Sequence, residues 1–138
     1  MRFEINNLQE LNKVAIYLKD KLTKNVCILL IGQMGAGKTT FTKELLKEFG
    51  VKEIVTSPTF TIMNQYGFEN FKINHIDAYR LTLQEDPQMY LEEMIDSINI
   101  VEWSQNLDIN YESYFKVIKV TIDVIDETKR VFEVEEIN

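Results

Sequence analysis

The sequence is poor in the residues that cross-link small proteins or bind structural metals. Its 138 residues include one cysteine, one histidine and two prolines. A single cysteine excludes a disulfide within the chain, and one cysteine with one histidine makes a zinc site a poor interpretation. No apolar run approaches the roughly 18 residues that a membrane-spanning helix needs. We therefore expect a cytoplasmic protein of one domain, residues 1–138, with no membrane contact and no disulfide-linked partner.

Positive charge is also in short supply. The chain carries 15 Lys and Arg residues against 22 Asp and Glu residues, which gives a net charge of −7. Such a surface repels phosphate backbones, and this excludes a broad basic face for gripping nucleic acid. Only a local positive patch would attract a phosphorylated ligand.

One segment supplies such a patch. Residues 32–39 read Gly-Gln-Met-Gly-Ala-Gly-Lys-Thr and match the phosphate-binding pattern G-x-x-x-x-G-K-[ST] at every fixed position. The apolar run Val26–Ile31 before it is typical of a buried parallel strand, with Cys27 as a small buried hydrophobe. After it, apolar residues recur at helical spacing until Gly50, a natural helix stop. Strand, glycine loop and helix are the setting that the motif requires.

The residue types of this loop suit a metal-bound polyphosphate. Glycines let backbone N–H groups turn inward, and the positive end of the following helix faces the same point. Lys38 can reach the β- and γ-phosphates, and the Thr39 hydroxyl can ligate Mg²⁺. A plain strand-to-helix turn would account for one or two glycines but not for a lysine and a threonine at its end.

The remaining chain predicts a small three-layer α/β fold of the P-loop NTPase type, whose mixed sheet has a parallel centre and antiparallel edge strands. A first helix is capped by Asn7 and presents an apolar face of Leu8, Leu11, Ala15, Leu18 and Leu22. Residues 82–94 are helical in part, with a break at Pro87. Strands are predicted at residues 59–66, Phe71–Asp77, 98–103, 116–125 and Arg130–Glu136, with turns around Gly67 and Asn70 and at residues 126–129.

Two acidic residues end predicted strands. Asp77 follows the run of residues 71–76, and Glu102 follows the largely apolar run of residues 98–101. A P-loop ATPase needs an acid at the carboxyl end of a nearby strand, where it orients Mg²⁺ or the attacking water. Both are therefore candidate catalytic residues beside Lys38, and the sequence leaves open which acid serves the metal and which serves the water.

Three other features have a plain interpretation and a functional one. Residues 57–59, Ser-Pro-Thr, are either an ordinary turn or a loop that senses the γ-phosphate. His75 lies inside a predicted strand and is interpreted as a hydrogen-bonded structural residue rather than a ligand or base. Trp103 is assigned to core packing, with packing under the site or stacking on a base as the alternatives.

Four blocks of the sequence occur in a characteristic order: residues 35–40 (GAGKTT), 57–61 (SPTFT), 75–81 (HIDAYRL) and 101–103 (VEW). Together they resemble the bacterial TsaE family, also called YjeE. The resemblance covers nearly the whole chain, and its second and third blocks are more specific than the phosphate loop alone. The chain departs from the family at Leu11, where members often carry a threonine near the nucleotide base.

The resemblance implies a Mg²⁺-dependent ATPase, slow alone, that works with TsaB and TsaD in attaching a threonylcarbamoyl group to an adenosine of certain tRNAs. The tRNA would be met only indirectly. In this family, residues matching Lys38, Asp77 and Glu102 serve catalysis, and those matching Thr39 and Glu102 hold the metal. ATP is bound at positions that match Gly35, Ala36, Gly37, Lys38, Thr39 and Thr40.

Two other functions are compatible with a phosphate loop. A small-molecule or nucleoside kinase would use the same loop, but fewer than 100 residues follow Thr40, which leaves little room for an acceptor pocket and a lid. A nucleotide-gated interaction protein would bind ATP and barely hydrolyse it, and the presence of both Asp77 and Glu102 speaks against it. A GTPase is disfavoured because no Asn-Lys-x-Asp block is present.

Overall fold

The protein folds around one mixed β-sheet with helices on both faces. The computed structural model describes residues 1–52, 62–68, 70–82 and 86–138. In these ranges the strands and helices are, in chain order, β1 (Arg2–Ile5), α1 (Leu11–Lys19), β2 (Val26–Ile31), α2 (Lys38–Glu48), β3 (Met63–Phe68), β4 (Phe71–Asp77), α3 (Gln88–Met94), β5 (Ile98–Glu102), β6 (Lys116–Val124) and β7 (Arg130–Glu136). No helix among the described residues is long and apolar enough to cross a membrane.

The strands of the sheet lie in the order β1-β7-β6-β2-β5-β4-β3. Strand β2 pairs in parallel with β5 and with β6, and β5 pairs in parallel with β4. The outer pairings β1–β7, β7–β6 and β4–β3 are antiparallel. The predicted parallel centre with antiparallel edges is therefore confirmed. Since β2, β4 and β5 run the same way, their carboxyl ends meet at one edge of the sheet.

The core has one layer on each face of the sheet. Alternate residues of β2 serve the two layers: Ile28 packs with the residues of α1 and α2, and Cys27 packs with those of α3. Cys27 is fully buried, and burial raises the pKa of its thiol. Its predicted role as a small buried hydrophobe and the three-layer architecture are both confirmed.

The first helix starts later than predicted. Residues Leu8–Glu10 form a 3₁₀ turn, and α1 begins only at Leu11. The Asn7 side chain does cap, since its Oδ1 accepts from the N–H of Glu10 at 3.2 Å, but it caps the turn. Because the tighter turn rotates Leu8 away from the apolar face, Leu8 is 71% exposed and its assignment to the core is wrong. Leu22 is buried as expected, although it follows the helix.

Several boundaries also differ from the prediction. Gly67 lies inside β3, paired with Lys72, and not in the turn. Among the described residues of the segment predicted to be partly helical, the helix begins at Gln88, directly after Pro87. Trp103 has left the strand, with a φ of 58°. Strand β1 was not predicted at all, because four residues give too little alternation to recognise. Residues 59–61 of a predicted strand and residues 83–85 lie outside the described part of the chain.

The two leucines assigned to one helical face provide a test of the core. We expect Leu18→Ala to lower the free energy of unfolding by about 2–5 kcal/mol, because Leu18 is fully buried. Leu8→Ala should change it by less than about 0.5 kcal/mol. Urea unfolding of both variants gives the comparison. An equal loss in the two would place Leu8 in the core and contradict the 3₁₀ turn.

Candidate nucleotide-binding site

The glycine loop joins β2 to α2 and owes its shape to two residues of left-handed backbone. Gly35 has a φ of 82° and Gly37 a φ of 104°, a region that side chains disfavour. A Cβ at either position would meet nothing within 4 Å, so the backbone alone demands glycine there. Gly32 differs, because its Cβ would lie 3.0 Å from the carbonyl oxygen of Ile122. That glycine lets the loop pack against β6.

Helix α2 begins at the end of this loop with its first N–H groups facing the loop. Gly37 is the N-cap residue and offers no side chain to satisfy them. Unsatisfied N–H groups and the helix dipole together make a binding site for an anion. The open backbone at Gly35 and Gly37 lets a ligand approach these donors closely.

Lys38 is the first residue of α2 and is only 6% exposed. Its Nζ donates a hydrogen bond to the carbonyl oxygen of Gly32 at 2.6 Å and lies 3.9 Å from the centre of the Trp103 ring. Burial lowers the pKa of the Lys38 ammonium, and the negative charges of Glu102 and Asp77 oppose that shift. The site therefore keeps one buried positive group between its two acids and its glycine loop.

The two strand-end acids lie side by side. Asp77 and Glu102 are register partners at the carboxyl ends of β4 and β5, so their side chains project from the same face. Glu102 is 3% exposed, and its Oε2 accepts a hydrogen bond from Thr39 Oγ1 at 3.2 Å. Asp77 Oδ1 accepts from the N–H of Tyr79 at 3.1 Å. Strand pairing thus brings both acids to the first residues of α2.

These groups surround one cleft of about 320 Å³. The structure brings together five of the predicted binding residues and both predicted acids. The cleft is lined by Met34, Gly35, Gly37, Lys38, Thr39, Thr40, Asp77, Tyr79, Glu102 and Trp103. Ala36 is the exception, since it is 2% exposed and lies on the other side of the loop.

A second cavity of about 490 Å³ adjoins the loop on that side. The residues that lead into α1, the turn after β6 and the strand β7 enclose it, with Leu8 and Leu11 among its apolar lining. It shares Gly35, Gly37 and Thr40 with the cleft, so the two spaces meet across the loop. The exposed position of Leu8 is therefore part of this cavity wall.

Arg130 is a site residue that the sequence analysis did not single out. Its Nε donates to the carbonyl oxygen of Ala36 at 3.3 Å, and its Nη1 donates to the carbonyl oxygen of Asp126 at 2.7 Å. The side chain thus ties the turn between β6 and β7 to the glycine loop. No local pattern signals this contact, because 94 positions separate Arg130 from Ala36.

Trp103 and His75 have more specific positions than the sequence suggested. The Trp103 ring lies under the Lys38 ammonium and packs against Tyr79, with ring centres 5.1 Å apart. Trp103 is partly buried against the core layer that holds α3, as the core interpretation expects, and it also packs under the site. His75 is a buried hydrogen-bonded residue as predicted, and its partner is Glu102. Residues 57–59 and the rest of the second resembling block lie outside the described residues.

Comparison with known proteins identifies the family. The family model described as "Threonylcarbamoyl adenosine biosynthesis protein TsaE" matches residues 5–132. Proteins named "tRNA threonylcarbamoyladenosine biosynthesis protein TsaE" from Rickettsia felis and Aquifex aeolicus are 37% and 38% identical, over 91% and 86% of this chain and 74% and 83% of their own lengths. The crystal structure of Bacillus subtilis YdiB matches with a TM-score of 0.77 at 23% identity, covering 100% of this chain and 86% of that chain, which supports the fold.

Two glycines allow the loop geometry to be tested. Gly37→Ala places a side chain on left-handed backbone, and we expect it to lower the free energy of unfolding by about 1–2 kcal/mol. Gly67→Ala is the control, because Gly67 lies in β3 outside that region and its Cβ would also meet nothing within 4 Å. That variant should change stability by less than about 0.5 kcal/mol. Chemical denaturation measures both, and equal effects would contradict the loop conformation.

Proposed function

The chain belongs to the TsaE family, and we propose that it is a single-domain, ATP-hydrolysing subunit of the tRNA threonylcarbamoyladenosine machinery that acts with TsaB and TsaD. The observation that carries this proposal is the convergence of the glycine loop, Lys38, Asp77 and Glu102 on one cleft. A buried cation and two acids around a cradle of N–H groups suit the binding and cleavage of a polyphosphate.

Binding of the phosphates would fall to the loop and the start of α2. The backbone N–H groups around Gly35 and Gly37 would donate to phosphate oxygens, and Lys38 would neutralise their charge. Lys38 is well placed for this role, because it lies within the cleft and close to the loop backbone. Thr40 lines the cleft and the second cavity alike and so marks the passage between them.

The second cavity is the proposed site of the adenine base. Leu8, Leu11 and Phe132 give it apolar surface against which an aromatic ring can pack. At Leu11, where family members often carry a threonine, an apolar contact with the base would replace a polar one. Binding of the base would then not require the threonine hydroxyl.

Magnesium fits the oxygen donors of the cleft. Mg²⁺ favours oxygen ligands and commonly takes one or two protein groups together with substrate phosphates. The Thr39 hydroxyl and the Glu102 carboxylate, 3.2 Å apart, are the groups that would hold it. When bound, the ion would supply charge neutralisation at the β- and γ-phosphates.

Hydrolysis requires a group that orients water against the γ-phosphorus. We assign that role to Asp77, because Glu102 already contacts the Thr39 hydroxyl and is thereby committed to the metal side. The water oxygen would bond to phosphorus as the bond to the β–γ bridging oxygen breaks, and Asp77 would accept the water proton. Lys38 would stabilise the charge that develops on the leaving diphosphate.

The proposed partners and location rest on family membership alone. TsaB and TsaD would supply the transfer chemistry, and this subunit would contribute ATP turnover in the cytoplasm, where tRNA is modified. The net charge of −7 disfavours a direct grip on the tRNA backbone, so contact through the partners is the better proposal.

Different variants should separate the binding of ATP from its hydrolysis. Lys38→Ala removes a charge-assisted phosphate contact, and we expect ATP affinity to fall by about 1.5–3 kcal/mol, roughly 10- to 150-fold in Kd. Glu102→Gln and Asp77→Asn should keep the affinity for ATP and lose most of the turnover. Calorimetric titration and phosphate release measure the two quantities.

Lys43→Ala is the charge-matched control, because Lys43 is an exposed residue of the same helix. It should leave both quantities unchanged. Unaltered affinity in Lys38→Ala would remove the phosphate-loop proposal, and normal turnover in both acid variants would return these carboxylates to a structural role.

A purified TsaB–TsaD pair tests the partnership. We expect the pair to retain this chain in a pull-down more strongly with ATP than without it, and to raise its rate of phosphate release. Lys38→Ala should lose the effect of ATP on retention. If the pair neither binds the chain nor changes its turnover, while a phosphorylated small molecule accumulates, the kinase alternative replaces the proposal.

A further inference from the structure

His75 contacts Glu102, one of the two acids of the cleft. It lies on β4, two positions before Asp77, and is 0% exposed. Its Nε2 atom lies 2.6 Å from Oε2 of Glu102 on the neighbouring strand β5. We infer that His75 is a positioning residue, which holds the Glu102 carboxylate in the orientation that the nucleotide site requires. The inference rests on the proposed function and deepens its account of that site.

The chemistry of the pair sets the direction of the hydrogen bond. An ionised carboxylate has only acceptors, so Nε2 of His75 carries the proton and donates it. Nδ1 of His75 is buried and has no hydrogen-bond partner among the described residues. The contact with Glu102 is therefore made through Nε2 alone.

One oxygen of Glu102 is held from two sides, by Thr39 of α2 and by His75 of β4. Oε2 of Glu102 accepts from Thr39 Oγ1 at 3.2 Å and from His75 Nε2 at 2.6 Å. Thr39 belongs to the helix that follows the glycine loop, and its hydroxyl has a second proposed task as a metal ligand. His75 is fixed by the strand ladder, in register with Ile100 of β5. It therefore anchors the carboxylate from the rigid sheet, independently of the loop.

His75 acts through Glu102 and not on the ligand. Glu102 lines the cleft, whereas His75 does not and exposes no surface. A buried partner that orients a metal-binding carboxylate contributes roughly 10- to 100-fold to metal affinity or activity. The magnitude expected for His75 is of this order, and it should be felt in turnover rather than in the binding of metal-free nucleotide.

Two substitutions of His75 separate the loss of its hydrogen bond to Glu102 from the loss of the imidazole ring. Gln places an amide N–H₂ near the position of Nε2, whereas the shorter Asn places its amide near Nδ1 and out of reach of Glu102. We expect His75→Asn to lower kcat about 10- to 100-fold and to leave the Kd of ATP in EDTA unchanged. His75→Gln should recover most of the lost kcat. Equal turnover in wild type, His75→Asn and His75→Gln would overturn the inference.

Asn74→Ala is the matched control for loosening of the strand. Asn74 is the neighbouring, fully buried polar residue of β4, and its Nδ2 donates to Asn99 Oδ1 at 2.9 Å on the opposite face of the sheet. Its loss should lower the denaturation midpoint and leave kcat unchanged. If Asn74→Ala lowers kcat as much as His75→Asn, strand stability explains the effect and positioning does not.

A spectroscopic measurement keeps the inference testable if His75→Asn fails to fold. His75 is the only histidine of the chain, so protein labelled with ¹⁵N-histidine gives one imidazole signal pair without further assignment. We expect a protonated Nε2, and we expect Glu102→Gln to shift the Nε2 resonance. An unprotonated Nε2, or a resonance indifferent to Glu102→Gln, would overturn the inference. A wild-type protein that neither binds nor hydrolyses ATP would instead contradict the proposed function.

Discussion

The parallel pairing of β2, β5 and β4 is the constraint on which the candidate site depends. It sets Glu102 opposite Leu30 on one side and opposite Asp77 on the other. The acids and the glycine loop are distant in sequence, and only this pairing brings them to one edge of the sheet. A shift of one residue in register would turn Glu102 to the opposite face, away from Thr39. All five residues of β5 are buried, so the same register fixes the site and the core packing.

The site concentrates buried polar groups that would each destabilise the fold alone. Lys38, His75 and Glu102 are all at least nine-tenths buried. Removing such groups from water is costly unless they are hydrogen-bonded to one another or to the backbone. Here Glu102 accepts hydrogen bonds from Thr39 and from Nε2 of His75, and the carbonyl oxygen of Gly32 accepts one from Lys38. The resulting network has few alternative arrangements, which keeps its groups in place for a ligand.

The sequence predicted best the features that a short segment encodes. Strand β2, the glycine loop and α2 follow from a local pattern, and so do the β6–β7 hairpin and its turn. The candidate site residues also came from local signals, namely a loop motif and acids at strand ends, and the structure places them around one cleft apart from Ala36. Their proximity could be anticipated because parallel strands end at a common edge.

The features that were missed depend on contacts distant in sequence. Strand β1 exists because β7 offers it an edge, and its own four residues carry little signal. Leu8 fits the helical period but belongs to a 3₁₀ turn beside a cavity. The partner of His75 is set by strand register, and the role of Arg130 is set by the packing of the hairpin on the loop. None of these follows from composition or periodicity.

The hydrogen bond from Arg130 to the carbonyl oxygen of Ala36 also orients the peptide unit between Ala36 and Gly37. The peptide bonds of the described residues are trans, so a carbonyl oxygen and the following amide hydrogen point in opposite directions. With the Ala36 oxygen drawn toward the hairpin, the amide hydrogen of Gly37 faces the other way. An approaching anion therefore meets the N–H of Gly37 and not the carbonyl oxygen of Ala36. The Arg130 side chain, from β7, holds the peptide unit in this orientation.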